Sequence, residues 1–228
     1  RAEGKPMNTG LYYIADGIFN DQAEIDNNPS WPGARPGDVR FRDVNGDGEI
    51  NGEDRVRQDV NGEPDLIGSF HIGATVRRFD ARLQFQGATR VNQYVFTTSA
   101  GEFGNYFQEF ADQRWRPDPN NPNEPHPDYP DASGPRAYNR ADPYWASNGS
   151  TFFLQDASYL RLKSVRIGYS IPAGWAESFG IDQLRVDLTG RNLLTWTPLK
   201  IMDPEIRNGA AHTYPPERAY AVELQVNF

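Results

Sequence analysis

The sequence contains no cysteine, which excludes disulfides, thiolate metal sites and thiol nucleophiles. It also has no run of about 18 apolar residues, so we expect no transmembrane helix. Basic residues are few, since 23 Lys and Arg stand against 31 Asp and Glu and leave a net charge of −8. Because binding to nucleic acid needs a basic surface, we predict no nucleic-acid partner.

Turn-forming and aromatic residues are abundant. The 21 glycines and 18 prolines predict many turns and little helix, and 13% of the residues are aromatic. The mean hydropathy of −0.74 is compatible with membrane strands, because each needs only about ten residues of alternating polarity.

Alternation with a period of two residues is the main structural signal. At the C-terminus, one face of a predicted strand carries Tyr220, Val222, Leu224, Val226 and Phe228, and polar residues dominate the other face. Further alternating strands are predicted around 160–171 and 184–189, with a bulge near Ser164 where the phase changes. A hairpin is predicted over 70–85 and a weaker strand over 11–18.

The predicted connections alternate between long and short. Residues 20–65, 88–150 and 195–218 form long connections, whereas 77–80 and 172–183 form shorter ones. A soluble sandwich explains the strands equally well, but long outer loops and short periplasmic turns are typical of an outer-membrane barrel. The pattern therefore favours an all-β, antiparallel transmembrane barrel with long extracellular loops and a periplasmic C-terminus.

Six predicted strands are too few for a membrane barrel, because the smallest have about eight. An open sheet would leave two unpaired strand edges in lipid. We therefore expect residues 1–228 to be the C-terminal segment of a longer barrel, whose other strands precede Arg1. No signal peptide is recognisable at the start of the sequence, which agrees with that expectation.

Several segments resemble the C-terminal region of the SusC/RagA family of TonB-dependent transporters. They are GDVRFRDVNGDGEIN at 37–51, SYLRLKSVRIGYSIP at 158–172, LRVDLTGRNLLTW at 184–196, YIADGIF at 13–19, DPE at 203–205 and YP at 214–215. Their order and spacing cover nearly the whole chain.

The resemblance implies a barrel of about 22 strands around an N-terminal plug, with both the plug and the segment that contacts TonB outside this chain. It implies TonB-dependent import of glycan fragments or peptides together with a SusD-like surface lipoprotein. On this interpretation polar residues such as Arg185, Asp187, Glu223 and Gln225 line the interior. Phe228 and the apolar face before it resemble the assembly signal of outer-membrane proteins.

A calcium site is predicted at residues 43–54. Calcium takes six to eight oxygen ligands, and suitable oxygens recur along this loop: Asp43, Asn45, Asp47, the Glu49 carbonyl, Asn51 and Asp54. Gly48 allows a sharp turn and Ile50 can pack inward, but Asp54 is shorter than the usual glutamate. The alternative is a metal-free turn in which Asp and Asn accept hydrogen bonds from their own backbone.

Aromatic residues in the predicted outer connections are candidates for contact with substrate or partner: Trp115, Tyr138, Tyr144 and Trp145. Trp196, at a strand end, fits the aromatic girdle of a barrel. His71, His126 and His212 lack zinc-site spacing.

We predict no catalysis, because the acidic pairs Glu53/Asp54 and Asp203/Glu205 do not by themselves define a glycosidase. The alternatives are a secreted, calcium-stabilised β-sandwich that binds carbohydrate and a hydrolase.

Overall fold

The computed structural model describes residues 4–95, 108–137, 144, 149–200, 202–206, 214 and 216–228. The chain forms two compact units. We call Pro64–Val91, Ala157–Glu205 and Tyr214–Phe228 the sheet unit. Arg1–Glu63, Asn92–Asp156 and Ile206–Thr213 form the loop unit.

Most elements are strands, and in the described residues every pairing between two named strands is antiparallel, so the prediction of an all-β antiparallel chain is confirmed. In the described residues the strands are β1 (Leu11–Tyr13), β2 (Ala15–Ile18), β3 (Val39–Phe41), β4 (Arg55–Arg57), β5 (Leu66–Val76), β6 (Phe79–Thr89), β7 (Asn92–Tyr94), β8 (Leu154–Asp156), β9 (Tyr159–Ser170), β10 (Gln183–Trp196) and β11 (Ala219–Asn227).

The sheet unit is one five-stranded sheet in the order β11-β10-β9-β6-β5. The predicted hairpin is β5–β6, closed by the two-residue turn Arg77-Arg78. Because neighbouring strands are antiparallel, this turn lies at the same end of the sheet as the β9–β10 connection and the end of β11. We call it the short-connection end. The longer β6–β9 and β10–β11 connections leave from the opposite end, as the sequence pattern predicted.

The predicted bulge near Ser164 is confirmed at Lys163. Ser164 pairs with Gln84 and Arg191, whereas Leu162 pairs with Phe85 and Leu194, so Lys163 has no partner on either side. The extra residue reverses the phase of β9 and keeps its leucines on the same face as the later apolar residues.

The prediction of one strand over 11–18 is wrong. The segment breaks at Ile14 into β1, which pairs with β4, and β2, which pairs with β3. Tyr13 and Ile18 are both buried although they have opposite alternation phases, and a single straight strand would direct them to opposite faces. The five-stranded sheet therefore has one strand fewer than expected from the sequence.

The loop unit holds three two-stranded sheets, β1–β4, β2–β3 and β7–β8. It has a buried cluster made of Tyr13, Val39, Phe41, Ile50 and Tyr144. In this cluster the Phe41 ring stacks on the rings of Tyr13 and Tyr144, with centroid distances of 4.9 and 5.6 Å. Long connections therefore carry a core of their own.

Short helices interrupt the connections: α1 (Gln22–Asn27), α2 (Gln108–Gln113) and α3 (Ala173–Ala176). The helix-like stretch predicted over 103–115 contains α2, and residues 103–107 of that stretch lie outside the described residues. The helical turn predicted in 172–183 is α3, continued by a 3-10 turn over Glu177–Phe179. None of the helices in the described ranges combines the length and hydropathy needed to cross a membrane.

Candidate functional site

One face of the five-stranded sheet is apolar and exposed. Val222 of β11 is 75% exposed, Leu188 of β10 50% and Phe79 of β6 57%. Cross-strand register aligns such residues in rows, as in Val222–Leu188–Ile167 and Leu224–Val186–Tyr169. Soluble monomers rarely expose apolar patches beyond a few hundred Å², and larger ones mark contact with protein or membrane.

Aromatic pairs join the strands on this face. The ring centroids of Phe79 and Tyr169 are 4.4 Å apart, and those of Phe70 and Phe85 are 4.7 Å apart. Each pair consists of directly opposed residues on neighbouring strands, an arrangement that stabilises a sheet through ring contact. Trp196, at the end of β10, is 51% exposed.

The C-terminal strand has the predicted alternation. Tyr220, Val222, Leu224 and Phe228 are 61–86% exposed, and Val226 is partly buried. All strand members of this set pair with the apolar face of β10. The role of this face as an assembly signal stays a prediction.

The opposite face of the sheet carries buried charge. Asp187 on β10 is fully buried, and its carboxylate accepts hydrogen bonds from Arg166 Nε (3.0 Å) and Arg185 Nε (2.9 Å). Arg185 also pairs with Asp80 of β6 at 2.6 Å. Polar side chains of β6, β9, β10 and β11 thus lie on the face opposite the apolar one. The predicted interior residues are all on this polar face: Arg185, Asp187, Glu223 and Gln225.

Gly168 creates the space for this ion-pair network. It lies directly opposite Asp187 on one side and Asp80 on the other. A Cβ atom at this position would be 1.8 Å from the guanidinium nitrogen of Arg185 and 2.5 Å from a carboxylate oxygen of Asp187. The alternation pattern alone gave this glycine no special role.

A second charged cluster lies on the polar face near the opposite end of the sheet. Arg161 of β9 is 1% exposed and forms ion pairs with Asp203 and Glu205, which follow β10. Its Nε donates to Thr195 at 2.9 Å, and Lys163 donates to Glu205 at 2.8 Å. The cluster fastens residues 203–205 to the strands.

Burial and neighbouring charges act in opposite directions on the carboxylate of Glu205 in this cluster. Burial raises the pKa of Glu205, but the hydrogen bond from Lys163 and the charge of Arg161 lower it by more, so the net shift is downward. The sequence predicted two things of Asp203 and Glu205: they belong to one of the motifs that resemble the SusC/RagA family, and they do not form a catalytic pair. Their common partner Arg161 was missed because it is just another polar residue in an alternating strand.

The predicted calcium loop is closed by hydrogen bonds from its own backbone. The two oxygens of Asp43 accept from the amides of Gly46 (2.7 Å) and Gly48 (2.9 Å). Asp54 is fully buried and accepts from the amides of Val44 and Asn51, both at 2.8 Å. These bonds fold residues 43–54 into a compact turn whose two ends are joined by Asp54.

The remaining predicted ligands lie along the same turn. Asn45 and Asp47 each accept a hydrogen bond from a backbone amide two residues later, at 3.1 and 2.9 Å. The hydrogen bond from the Glu49 amide, with a further one from Asn45, lowers the pKa of Asp47. Within the described ranges, no group of three or more His, Cys, Asp or Glu is placed to hold a metal ion. The arrangement is the one expected for the metal-free turn, and calcium binding stays a prediction.

Two of the aromatic contact candidates are buried in the loop unit. Trp115 is 4% exposed, and its indole N–H donates to the Asn20 carbonyl at 2.9 Å. Tyr144 is 2% exposed and donates to the Val39 carbonyl. Neither position offers the exposed ring on which the contact hypothesis depended, because both rings complete a core. Tyr138 and Trp145 lie outside the described residues.

The two histidines that the structure describes lie in different parts of the chain. His71 is exposed on β5, and His126 Nδ1 accepts from the amide of Asp128 at 3.1 Å. His212 lies outside the described residues.

No family model matches the chain. The chain is 31% identical over 247 residues, covering 99% of its length, to the TonB-dependent receptor P26 of Formosa agariphila. It is 26% identical to the TonB-dependent receptor P3 of the same organism, with 85% of the chain covered. Among solved structures, the RagAB peptide transporter matches 97% of the chain with a TM-score of 0.66 and 21% sequence identity.

The chain spans about a quarter of these proteins or less: 23% of receptor P26, 19% of receptor P3 and 23% of the RagAB chain. The likeness to RagAB shows that the described sheet and loop elements share its fold. The relatives are receptors and transporters, not enzymes.

Proposed function

Because the chain is a segment of a SusC/RagA-type TonB-dependent receptor, as its motifs predicted, we propose that it forms part of the wall of an outer-membrane barrel that imports nutrients. The observation that carries the proposal is the inverted polarity of the sheet. Its apolar side chains are exposed while charged Asp187 and Arg161 are buried. A barrel wall needs this arrangement, because its outer face contacts lipid and its inner face contacts water or protein.

The whole transporter would use this wall for TonB-dependent passage of glycan fragments or peptides. The solved relative is a peptide transporter, which supports the peptide half of this substrate range. A SusD-like surface lipoprotein would cover the outer mouth, on the side of the long connections. Contact with TonB would come through parts of the polypeptide that this segment does not contain.

The soluble β-sandwich explains the sheet less well. A sandwich buries the apolar face of each sheet, whereas residues such as Val222, Leu188 and Phe79 are at least half exposed within this chain. The proposal commits that face to lipid.

The orientation can be tested by single-cysteine labelling, which the absence of native cysteine in this segment makes direct. Asp131→Cys lies in the β6–β9 connection and Asp182→Cys in the β9–β10 connection, and both side chains are exposed. In intact cells that produce the full-length polypeptide, a membrane-impermeant maleimide is expected to label Cys at the first position only. Lysed cells should be labelled at both.

Equal labelling of the two positions in intact cells would contradict the orientation, and recovery of the polypeptide in the soluble fraction would contradict the barrel.

Import itself requires a separate measurement. Uptake of the native peptide or glycan should stop when the gene is deleted or the proton-motive force is collapsed. Uptake that survives both treatments would remove the transport proposal.

Calcium binding at residues 43–54 is a further part of the proposal, supported by the oxygen spacing and by the loop's exposed position. Calcium would stiffen an outer connection. Adding Ca²⁺ to the chelator-treated full-length protein is expected to raise its melting temperature, and Asp47→Asn should reduce the rise because one charged ligand is lost. Asp131→Asn, outside the loop, serves as the control. An unchanged melting temperature in the wild type would leave the metal-free turn as the explanation.

A further inference from the structure

A basic cavity lies on the polar face at the short-connection end of the sheet. Its volume is about 460 Å³, within the range of about 300–1,000 Å³ typical of small-molecule sites. Its charged lining consists of Arg77, Arg78, Asp80, Arg82, Arg166 and Arg185. We call this cavity the arginine pocket.

Two of its arginines are held in place by carboxylates. Arg166 and Arg185 both donate to the fully buried Asp187, and Arg185 also reaches Asp80. These ion pairs fix the positions of the two guanidinium groups, because a planar guanidinium that donates to a carboxylate loses conformational freedom.

The other three arginines are available to a ligand. The side chains of Arg77, Arg78 and Arg82 are exposed. Among the residues that the structure describes, none of the three has a carboxylate within ion-pair distance. Arg77 and Arg78 come from the β5–β6 turn and Arg82 from β6, and all three line the pocket together with Arg166 and Arg185.

The strand register places two of the pocket's arginines next to each other. Arg82 lies directly opposite Arg166 in the β6–β9 pair, and like charges in that position destabilise a sheet. Five arginines line the pocket with one carboxylate, Asp80. Asp187 accepts from Arg166 and Arg185, and the charge of Glu223 also acts on Arg166, so an excess of two positive charges remains in a chain whose net charge is −8. An anion bound between Arg82 and Arg166 would relieve this repulsion.

We propose that the arginine pocket binds an oxyanion group, such as a carboxylate, phosphate or sulfate, on an imported solute. The guanidinium fork matches the paired oxygens of these groups. This inference rests on the proposed function, because in that orientation the short-connection end faces the periplasm. The pocket would then be the last charged contact of the wall with a departing anionic substrate.

The test uses the full-length polypeptide in detergent and titrates citrate, inorganic phosphate and sulfate at constant ionic strength, with chloride as the reference ion. Saturable binding is expected for at least one of the three. The double variant R78Q/R82Q should weaken it by about tenfold or more, since two charge-assisted contacts are lost. Arg191→Gln is the matched control, because Arg191 is exposed on the polar face of β10 but lies outside the pocket.

Absence of saturable binding to all three anions would overturn the proposal, as would equal weakening by R191Q, which would indicate general attraction. The melting temperature of R78Q/R82Q separates lost binding from misfolding. It is expected to equal or exceed that of the wild type, because the substitution at Arg82 removes a repulsion with Arg166. Measurements of uptake distinguish the anion-binding proposal from the transport proposal on which it rests. If R78Q/R82Q reduces import of anionic solutes and leaves neutral ones unchanged, both proposals stand. Failure of the labelling pattern described above would remove the barrel orientation, whatever the anion titration gives.

Discussion

Buried charge is the feature that distinguishes individual residues of the polar face. Asp187 and Arg161 are at most 1% exposed although they lie on strands whose other face is apolar. Burial of an unpaired charge is strongly destabilising, and each of these residues is paired with at least two partners of opposite charge. Single substitutions in these networks are therefore expected to lower the free energy of unfolding.

Gly168→Ala is expected to destabilise the sheet by about 1–3 kcal/mol, the usual cost of overpacking. The new methyl group would collide with the guanidinium of Arg185 and force it away from Asp187. The measurement is the free energy of unfolding of the full-length protein in detergent. Gly73→Ala is the control, because the nearest atom to its Cβ would be the Ala81 carbonyl oxygen at 3.6 Å, an ordinary contact. Equal stability of the two variants would contradict the packing argument.

Glu205→Gln is expected to cost about 1–3 kcal/mol near neutral pH, because it removes a charge-assisted hydrogen bond and leaves buried Arg161 with one carboxylate partner instead of two. The pKa of Glu205 is lowered in the folded chain. Its charge therefore stabilises the fold above the ordinary pKa of 4.5, and this stabilisation is lost as the pH falls through the lowered value.

The corresponding measurement is the melting temperature of wild type and variant across the acid range. The difference between them should be greatest near neutral pH and should shrink below the ordinary pKa of 4.5. Glu217→Gln, an exposed residue of the same connection, should show no such trend. A difference that stays constant with pH would rule out the ionised Glu205 as its source.

At the scale of the element, each long strand separates two environments. On β11 the side chains of Tyr220, Val222 and Leu224 are exposed and apolar, while Glu223 and Gln225 face the polar side with Asp187 and Arg185 as direct neighbours. In the proposed barrel the strand separates lipid from the interior, and its two faces should respond differently to the same substitution.

Val222→Arg is expected to cost about 2–4 kcal/mol in the membrane, the penalty for an arginine on the lipid face near mid-bilayer. Ala221→Arg is the matched control, since Ala221 precedes Val222 and pairs with Thr189 on the polar face. Folding of both variants into lipid vesicles can be followed by denaturant titration. Similar costs for the two would refute the assignment of the Val222 face to lipid.

At the scale of the whole molecule, the chain comprises the five-stranded sheet and the loop unit. The outer strands β5 and β11 each have one neighbour in the described residues, so one edge of each has no strand partner there. Unpaired edges are intolerable in lipid, and an exposed apolar sheet promotes aggregation in water. In the proposed barrel the sheet would therefore depend on further strands that complete the wall.

Residues 1–228 produced alone are expected to aggregate in water and to stay dispersed only in detergent. Size-exclusion chromatography with light scattering checks this directly, and the full-length polypeptide in detergent is the reference. A monodisperse monomer of 25.7 kDa without detergent would contradict the barrel and revive the soluble sandwich.

Local patterns were sufficient for the sheet itself. Alternation located β5, β6, β9, β10 and β11, because a strand that separates two environments must alternate its side chains. The change of phase near Ser164 located the bulge for the same reason. The segment 11–18 defeated this reasoning, because its residues bury against different partner strands on either side of Ile14.

The sequence by itself determined the five strands of the sheet, the end of the sheet from which the long connections leave and the resemblance to the SusC/RagA family, since these depend on residue order within short segments. Tertiary structure decided which distant residues meet. It brought Arg161 to Asp203 and Glu205, set Arg82 opposite Arg166, and buried Trp115 and Tyr144 in the loop unit. Register and loop path fix such contacts, and both arise from packing over the whole chain, which no local pattern encodes.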